Sequence, residues 1–563
     1  MDINFDKLNK NKYKIKKNNK SMKELCNPPK FKLQPNQLFL GALFKNTNIK
    51  GLLVFHKIGG GKTCASIRAA EEVKRKMKIM VVLPASLRGN YIDELLSACT
   101  NEDYISSSDR KKLENLDMKS DKYKKIYDRA LTKINKYYTI YSYHKFVDLI
   151  QRNKIKLRNT LLIIDEVQNM ISENGTFYNQ LKKVIYKSDD KTRIMLLSAT
   201  PMFDKPTEIS LTLNLLKPEN KLPVGTDFNN TFIDIQQTKR KIKYDVKNMD
   251  IFKNNIHNMI SYYRGASPKT YAEERFKVVR CKMSEFQYKS YLAAVSDDRN
   301  FIKGSFKTVD LLDMPNNFFI GPRMVSNIAF PNKSTNALGY SSFEGDVLKM
   351  ENIKEYSIKF YKIFKKIKAC DGLTFVYSNF KEYGGLKSFV KFIEYHGYKN
   401  FKVHGPGPKR FAIWSGDEKH EVKNEIKHTF NKKQNVDGSL LKIILGSPAI
   451  KEGVSLKRVQ QVHVMEPYWN ISRMQQIIGR ALRYCSHKDM PRDKRFVDVF
   501  VYVATCPEKK CVYADDYIWK LAKQKQTLIT KFENALKEKA IDCEIFYNGN
   551  NYPSDKKKIK CDI

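Results

Sequence analysis

The sequence predicts an α/β protein of two lobes, each built on a parallel sheet, with a mostly helical insertion between them. Three observations lead there. Apolar runs of strand length alternate with helical patterns over residues 31–217 and again over 369–505, and such alternation builds parallel sheets. One early run, Gly51 to Phe55, passes through a glycine-rich turn into a helix. Another, starting at Thr160, ends in the adjacent acids Asp165 and Glu166. A chain of 563 residues is also too long for one ordinary core.

The first element is a leader, residues 1–30, rich in lysine and asparagine and without periodicity, which reads as a mobile basic tail. Pro35 then starts a helix whose apolar face would hold Leu38, Phe39, Ala42 and Leu43, with Gln37 about one turn inside. The amide of Gln37 offers a donor and an acceptor together, as adenine's edge requires, although in isolation it reads as a surface glutamine.

The stretch His56 to Thr63 (HKIGGGKT) follows the first strand and opens a helix. Gly59, Gly60 and Gly61 let backbone N–H groups close around a polyphosphate at a helix N-terminus, whose dipole favours anions. Lys62 would reach the β- and γ-phosphates and Thr63 would hold magnesium. The strict pattern has glycine where His56 stands, so the match is to a looser form of the loop. Alone, the same letters fit a glycine turn before a basic helix.

Lys78 to Pro84 reads as the next buried strand, Tyr138 to Phe146 as a third followed by a polar turn, and TLLIIDEVQNM as a fourth. Paired carboxylates at a strand end suit a phosphohydrolase: Asp165 holds magnesium and Glu166 orients or deprotonates the attacking water. Arg193 to Pro201 (RIMLLSATP) repeats the form, ending in Ser198 and Thr200. Residues 218–368 read as a linker and helical insertion, with a strand running into a helix over Val278 to Ala294. From Gly372 a second alternating set begins and closes with the strand Phe496 to Ala504. A basic amphipathic helix at about Asp515 to Ala540 reads as packing on the second lobe, and residues 506–563 otherwise as a basic tail.

The helix from Ser472 to Tyr484 carries Gln476, Arg480 and Arg483 in the pattern Q-x-x-G-R-x-x-R. On a continuous helix, positions 480 and 483 share a face and 476 lies one turn below. Two arginines beside a glycine make an anion clamp that could stabilise charge on a γ-phosphate from across the site.

Composition narrows the function class. Lysine and arginine number 103 against 60 acids, a net charge of +43, and the expected partner of such a surface is a polyanion such as nucleic acid. Part of the lysine excess is also what an AT-rich genome would give. No run of about 18 uninterrupted apolar residues exists, so no membrane span is expected. The N-terminus lacks an apolar signal core, which argues for the cytoplasm over export. Ten scattered cysteines form no zinc pattern and read as reduced thiols.

Taken in order, G-G-G-K-T, D-E-V-Q, S-A-T-P, E-G-V-S-L and Q-I-I-G-R-A-L-R resemble a superfamily 2 helicase of the Swi2/Snf2-like branch. LLVFHKIGGGKT, ISYYRG, FVYSNFKEYGG and MEPYWNISRMQQIIGRALR are similar to the viral and plasmid members. That group includes poxvirus nucleoside triphosphatase I, the small subunit of the poxvirus early transcription factor, and helicases of yeast cytoplasmic linear plasmids. The resemblance spans roughly 31–505 and implies two RecA-like lobes with ATP and Mg2+ between them. It further implies that Gln37 reads adenine and Gly59 to Thr63 cradle phosphates. Asp165 and Glu166 would serve magnesium and water, and Gln168, Ser198 and Thr200 would couple hydrolysis to motion. Glu452, Gly453 and Ser455 would line the cleft with Gln476, and Arg480 and Arg483 would act as fingers. Departures are His56, Gln168 where relatives often have histidine, and Glu466 where they usually have aspartate. The expected activity is a DNA helicase or translocase in transcription or replication of a cytoplasmic viral or plasmid DNA, with DNA favoured over RNA. A multisubunit RNA polymerase or a second transcription factor subunit is a candidate partner. The alternatives are a transcription factor subunit that hydrolyses ATP for promoter release without unwinding, and an RNA helicase.

Overall fold

In the computed structural model of the chain, residues 8–16, 20–117, 120–238, 241–296, 301–302, 305–306, 319–451, 454–507 and 513–562 are described. Two units divide it: Met1–Ser267 with Thr527–Ile563, and Pro268–Gln526.

The first unit holds a six-stranded sheet. Its strands are β1 (Gly51–His56), β2 (Lys78–Leu83), β3 (Tyr138–Ser142), β4 (Thr160–Asp165), β5 (Arg193–Ser198) and β6 (Ile260–Tyr263), in the order β3-β2-β4-β5-β1-β6. All its pairings are parallel. β4 is buried along its whole length, as a strand covered on both faces must be, which is why it reads as a continuous apolar run. β1 lies between β5 and β6, with Leu53 opposite both Leu196 and Ile260. Helix α1 (Pro35–Asn46) buries Phe39, Leu40, Leu43 and Phe44. Leu38 is largely exposed instead, so the buried face is rotated from the expected one.

Three expectations change in this unit. The stretch after Ser142 is helix α3 (Tyr143–Gln151), not strand or turn, and Ser142 caps it by accepting from Lys145 N. The segment Ser261 to Gly265, read as part of the insertion, supplies the edge strand β6. The described segments near both ends are packed rather than trailing: Leu8 is buried, Ile15 N donates to Ile545 O at 3.2 Å, and Asn548 Nδ2 donates to Ile15 O at 3.0 Å.

The cysteines also depart from the expected thiols. Cys64–Cys99 and Cys543–Cys561 are disulfides, while Cys281 and Cys370 are free. Separations of 35 and 18 residues carry no sequence signal; only the tertiary fold brings the partners together. A loop of that larger size is worth about 3–4 kcal/mol in unfolded-chain entropy. Thiol reductant should therefore lower the melting temperature of the parent by several degrees, and Cys99→Ala should start lower and respond less. A melting curve unchanged by reductant would contradict the cross-link.

The second unit holds a seven-stranded sheet. It comprises β7 (Glu273–Lys282), β8 (Leu373–Tyr377), β9 (Lys399–Asn400), β10 (Arg410–Trp414), β11 (Ile443–Gly446), β12 (Val459–Val464) and β13 (Phe496–Thr505). The order is β9-β10-β11-β8-β12-β13-β7, again parallel. The stretch read as insertion thus gives one strand to each sheet: β6 to the first and β7 to the second. Between β7 and β8 in chain order stand helices including α4 (Ile320–Asn327) and α5 (Ile358–Lys368).

The amphipathic C-terminal helix is α6 (Ala514–Glu538). Its residues to Gln526 belong to the second unit and those from Thr527 to the first. Trp519 stacks on Phe276 of β7 with ring centroids 6.1 Å apart. Phe532 meets Phe228 and Phe252 of the first unit at 5.3 and 5.1 Å. Among the described residues no helix is long and apolar enough to cross a membrane.

Candidate functional site

The phosphate-binding loop follows β1 directly. Gly59 and Gly61 have φ of +84° and +67°, the left-handed region that glycine enters without strain. Helix α2 (Lys62–Val73) begins at once, with Gly61 as its N-cap, so free N–H groups of a helix start are turned to this loop. A Cβ on Gly61 would lie 2.6 Å from Gln37 Nε2: the first turn of α1 is seated against the loop. Gln37 is buried, and its Oε1 accepts from Gln34 N at 2.8 Å. Gln37 and the glycine turn, far apart in sequence, are therefore neighbours.

Lys62 reaches the acid pair at the end of β4. Its Nζ lies 2.7 Å from Glu166 Oε1 and 3.4 Å from Asp165 Oδ1. Burial works to lower the Lys62 ammonium, but Glu166 and then Asp165 outweigh it and hold it above its ordinary value. Burial raises Asp165, and Glu166 adds to the rise against the pull of Lys62. Glu166 stands at φ +53°, a costly conformation for a non-glycine residue that aims its side chain out of the strand direction. Tyr143, the first residue of α3, helps hold that turn: its one hydroxyl proton is shared between Asp165 O and, at 2.9 Å, Glu166 O. No sequence signal singled out Tyr143.

From Glu166 a line of side-chain bonds runs to β5. Gln168 Nε2 donates to Glu166 Oε2 at 2.6 Å. Ser198 Oγ donates to Gln168 Oε1 at 2.7 Å and accepts from Thr200 N at 3.0 Å. An amide bridges both sides because it donates from one end and accepts at the other. Thr63, beside Lys62 on the first turn of α2, is half-buried. Its hydroxyl and the Asp165 carboxylate are hard oxygen donors of the kind magnesium takes, and the cationic Lys62 already occupies the neighbourhood of both acids.

In the second unit, Gln476 lies half-buried on the helix Ile471–Ile478. That helix stops earlier than the sequence suggests, so Arg480 and Arg483 do not sit on a continuous helical face. Arg480 N and Ala481 N donate to Ile477 O and Ile478 O in tight turns, which end the helix at Gly479. Arg480 O accepts from Leu456 N at 2.9 Å, and Arg483 Nη2 donates to Val454 O at 3.3 Å. Both arginines are thus fixed against the segment Val454 to Leu456, with Ser455 between those two contacts. Gly453 and Glu452 lie outside the described residues.

Glu466 is fully buried at the end of β12. It accepts from Ser378 Oγ at 2.9 Å and from Asn327 Nδ2 of α4 at 3.1 Å. The carboxylate ties the ends of β8 and β12 to α4.

The chain matches the DEAD/DEAH box helicase family over residues 42–209 and the helicase conserved C-terminal domain over 359–485. It is 50% identical to the "Putative ATP-dependent RNA helicase R563" of Acanthamoeba polyphaga mimivirus, over 98% of this chain and 96% of that one. It is 25% identical to the "Termination factor NPH-I homolog" of African swine fever virus, over 90% of this chain and 77% of the relative. Among solved structures, a Sulfolobus solfataricus SWI2/SNF2 ATPase core in complex with dsDNA aligns over 84% of this chain and 88% of its own, at 17% identity and a TM-score of 0.32. With half its residues shared end to end with one such relative, the chain belongs to the DEAD/DEAH box helicases of superfamily 2 and is an ATP-dependent helicase.

Proposed function

We propose that this helicase hydrolyses ATP at Lys62, Asp165 and Glu166 to move along DNA during transcription or replication of a cytoplasmic viral or plasmid genome. The observation that carries the ATP site is the convergence of Lys62 on both acids, beside a glycine loop that Gln37 flanks. In this reading the loop and Lys62 bind the phosphates, Gln37 reads the base, and Glu166 takes the proton of the attacking water. Magnesium, held by Thr63 and Asp165, would neutralise charge on the β- and γ-phosphates. The Glu166–Gln168–Ser198–Thr200 line would report the state of the phosphate to β5. Arg480 and Arg483, with Gln476 and Gly453, would complete the site when nucleotide draws the lobes together.

DNA as the track is supported by the likeness to a viral termination factor homolog; an RNA polymerase is the partner such a role implies. RNA is the second reading, favoured by the printed name of the 50% identical relative. Among cytoplasmic settings, disulfides such as Cys64–Cys99 and Cys543–Cys561 suit a virion better than the reducing cytosol. The discriminating experiment offers purified protein single-stranded DNA, duplex DNA and RNA at equal nucleotide concentration. DNA is expected to stimulate hydrolysis, with binding that falls steeply with salt because phosphate contacts supply the affinity. Stimulation by RNA alone would replace this reading with the second.

A further inference from the structure

The departure at His56 has a structural partner set. His56 ends β1 with its ring fully buried. Its Nε2 lies 2.9 Å from Ser261 Oγ on β6. Ser261 Oγ donates to Asp542 Oδ2, and Tyr262 N donates to Asp542 Oδ1 at 2.8 Å. On its other side, His56 Nδ1 lies 3.4 Å from Asn36 Nδ2, which also donates to Gly60 O of the phosphate loop at 2.9 Å. Asn36, His56, Ser261 and Asp542 are all buried. The four belong to the first unit and come from α1, β1, β6 and the segment after α6.

An ionised carboxylate only accepts, so it fixes the direction of every bond in this line. Ser261 must give its proton to Asp542 and therefore accepts from His56. His56 must then carry its proton on Nε2 and accept at Nδ1 from Asn36. That keeps the amide nitrogen of Asn36, not its oxygen, between His56 and Gly60. Its second N–H holds the Gly60 carbonyl. A loop that binds phosphate must keep its carbonyl oxygens turned from the anion, and this bond does so for Gly60. Burial alone pushes Asp542 up to about 7, against its bonds from Ser261 and Tyr262 N, so the ionised form prevails in mildly alkaline solution.

We propose that Asp542, Ser261 and His56 are positioning residues that act through Asn36 to hold the phosphate-binding loop in its ATP-binding form. The proposal rests on the reading of that loop as the cradle for ATP. It assigns the C-terminal segment a part in nucleotide binding that no motif in the sequence carries, and it explains why a histidine can stand where the strict loop has glycine.

The test compares Ser261→Ala, Asp542→Asn and their double variant with the parent, in the full chain at pH 8.5. Ser261→Ala cuts the line. Asp542→Asn turns it around: the new amide places a donor at Ser261, whose proton must go to His56, and His56 then confronts Asn36 with donor against donor. Losing one buried hydrogen bond's worth of order should raise the KM for ATP roughly 5- to 10-fold. The kcat at saturating ATP should change less than about 2-fold, since no group at the reacting phosphate is touched. The double variant should be no worse than the worse single, because both break one line. A residue that only stabilises the fold would lower the active fraction, and so kcat, with KM unchanged; that result would overturn the proposal, as would a parental KM in Ser261→Ala. Lys62→Ala in parallel separates the two levels. If it hydrolyses ATP like the parent, the loop is not the ATP site; if it is inactive while both line variants keep the parental KM, only the positioning role fails.

Discussion

Lys62→Ala is expected to lose ATP hydrolysis by at least roughly 10²- to 10³-fold, the scale seen when one preorganised donor to a developing charge is removed. The lysine stands 2.7 Å from Glu166 and 3.4 Å from Asp165, where its charge serves two ends. With ATP it would neutralise the phosphates, and in the free protein it offsets two neighbouring carboxylates. Removing it should therefore also change stability in a pH-dependent way. Asp165 is already raised by burial and by Glu166; without Lys62 it rises further. A carboxyl whose folded pKa is raised contributes stability that is lost as pH rises through that value. The variant should thus lose more melting temperature, relative to the parent, at pH 8 than at pH 5. Nucleic-acid binding, which draws on many other cations, should be largely kept. Parental hydrolysis in this variant would remove the site from the loop.

Glu166→Gln is the second large effect. Glutamine is isosteric and its one oxygen can still accept from Gln168 or from Lys62, yet it cannot take a proton. A positioned general base is worth about 10²- to 10⁴-fold, and kcat should fall by that factor. ATP affinity should be held within a few-fold, because the loop, Lys62 and Gln37 are untouched. Single-turnover hydrolysis and equilibrium binding of labelled ATP separate the two. A loss of binding equal to the loss of turnover would show that Glu166 holds nucleotide and leave the base unassigned.

Much of this fold was legible because fully covered parallel strands must be apolar throughout. The runs at Gly51, Lys78, Thr160 and Arg193 each appear as strands where expected. What failed to read out was long-range or short. The ISYY strand has four residues and pairs with β1 about two hundred positions away, so its local sequence is indistinguishable from the surrounding insertion. The sequence pattern carries the helix before Arg480 past its end because A-L-R-Y keeps helical periodicity; the turns after Gly479 go with contacts to Val454 and Leu456. At the site, the contiguous motifs announced the loop and the acids. The distant partners Asn36, Ser261 and Asp542 did not, since single polar residues acquire meaning only when buried together.

The steady-state rate of ATP hydrolysis by the purified chain, with and without saturating nucleic acid, tests the nucleic-acid-dependent ATPase most directly. A low basal rate, strong stimulation by one polymer, and neither in Lys62→Ala are expected. A rate that no nucleic acid changes, and that Lys62→Ala shares, would contradict it.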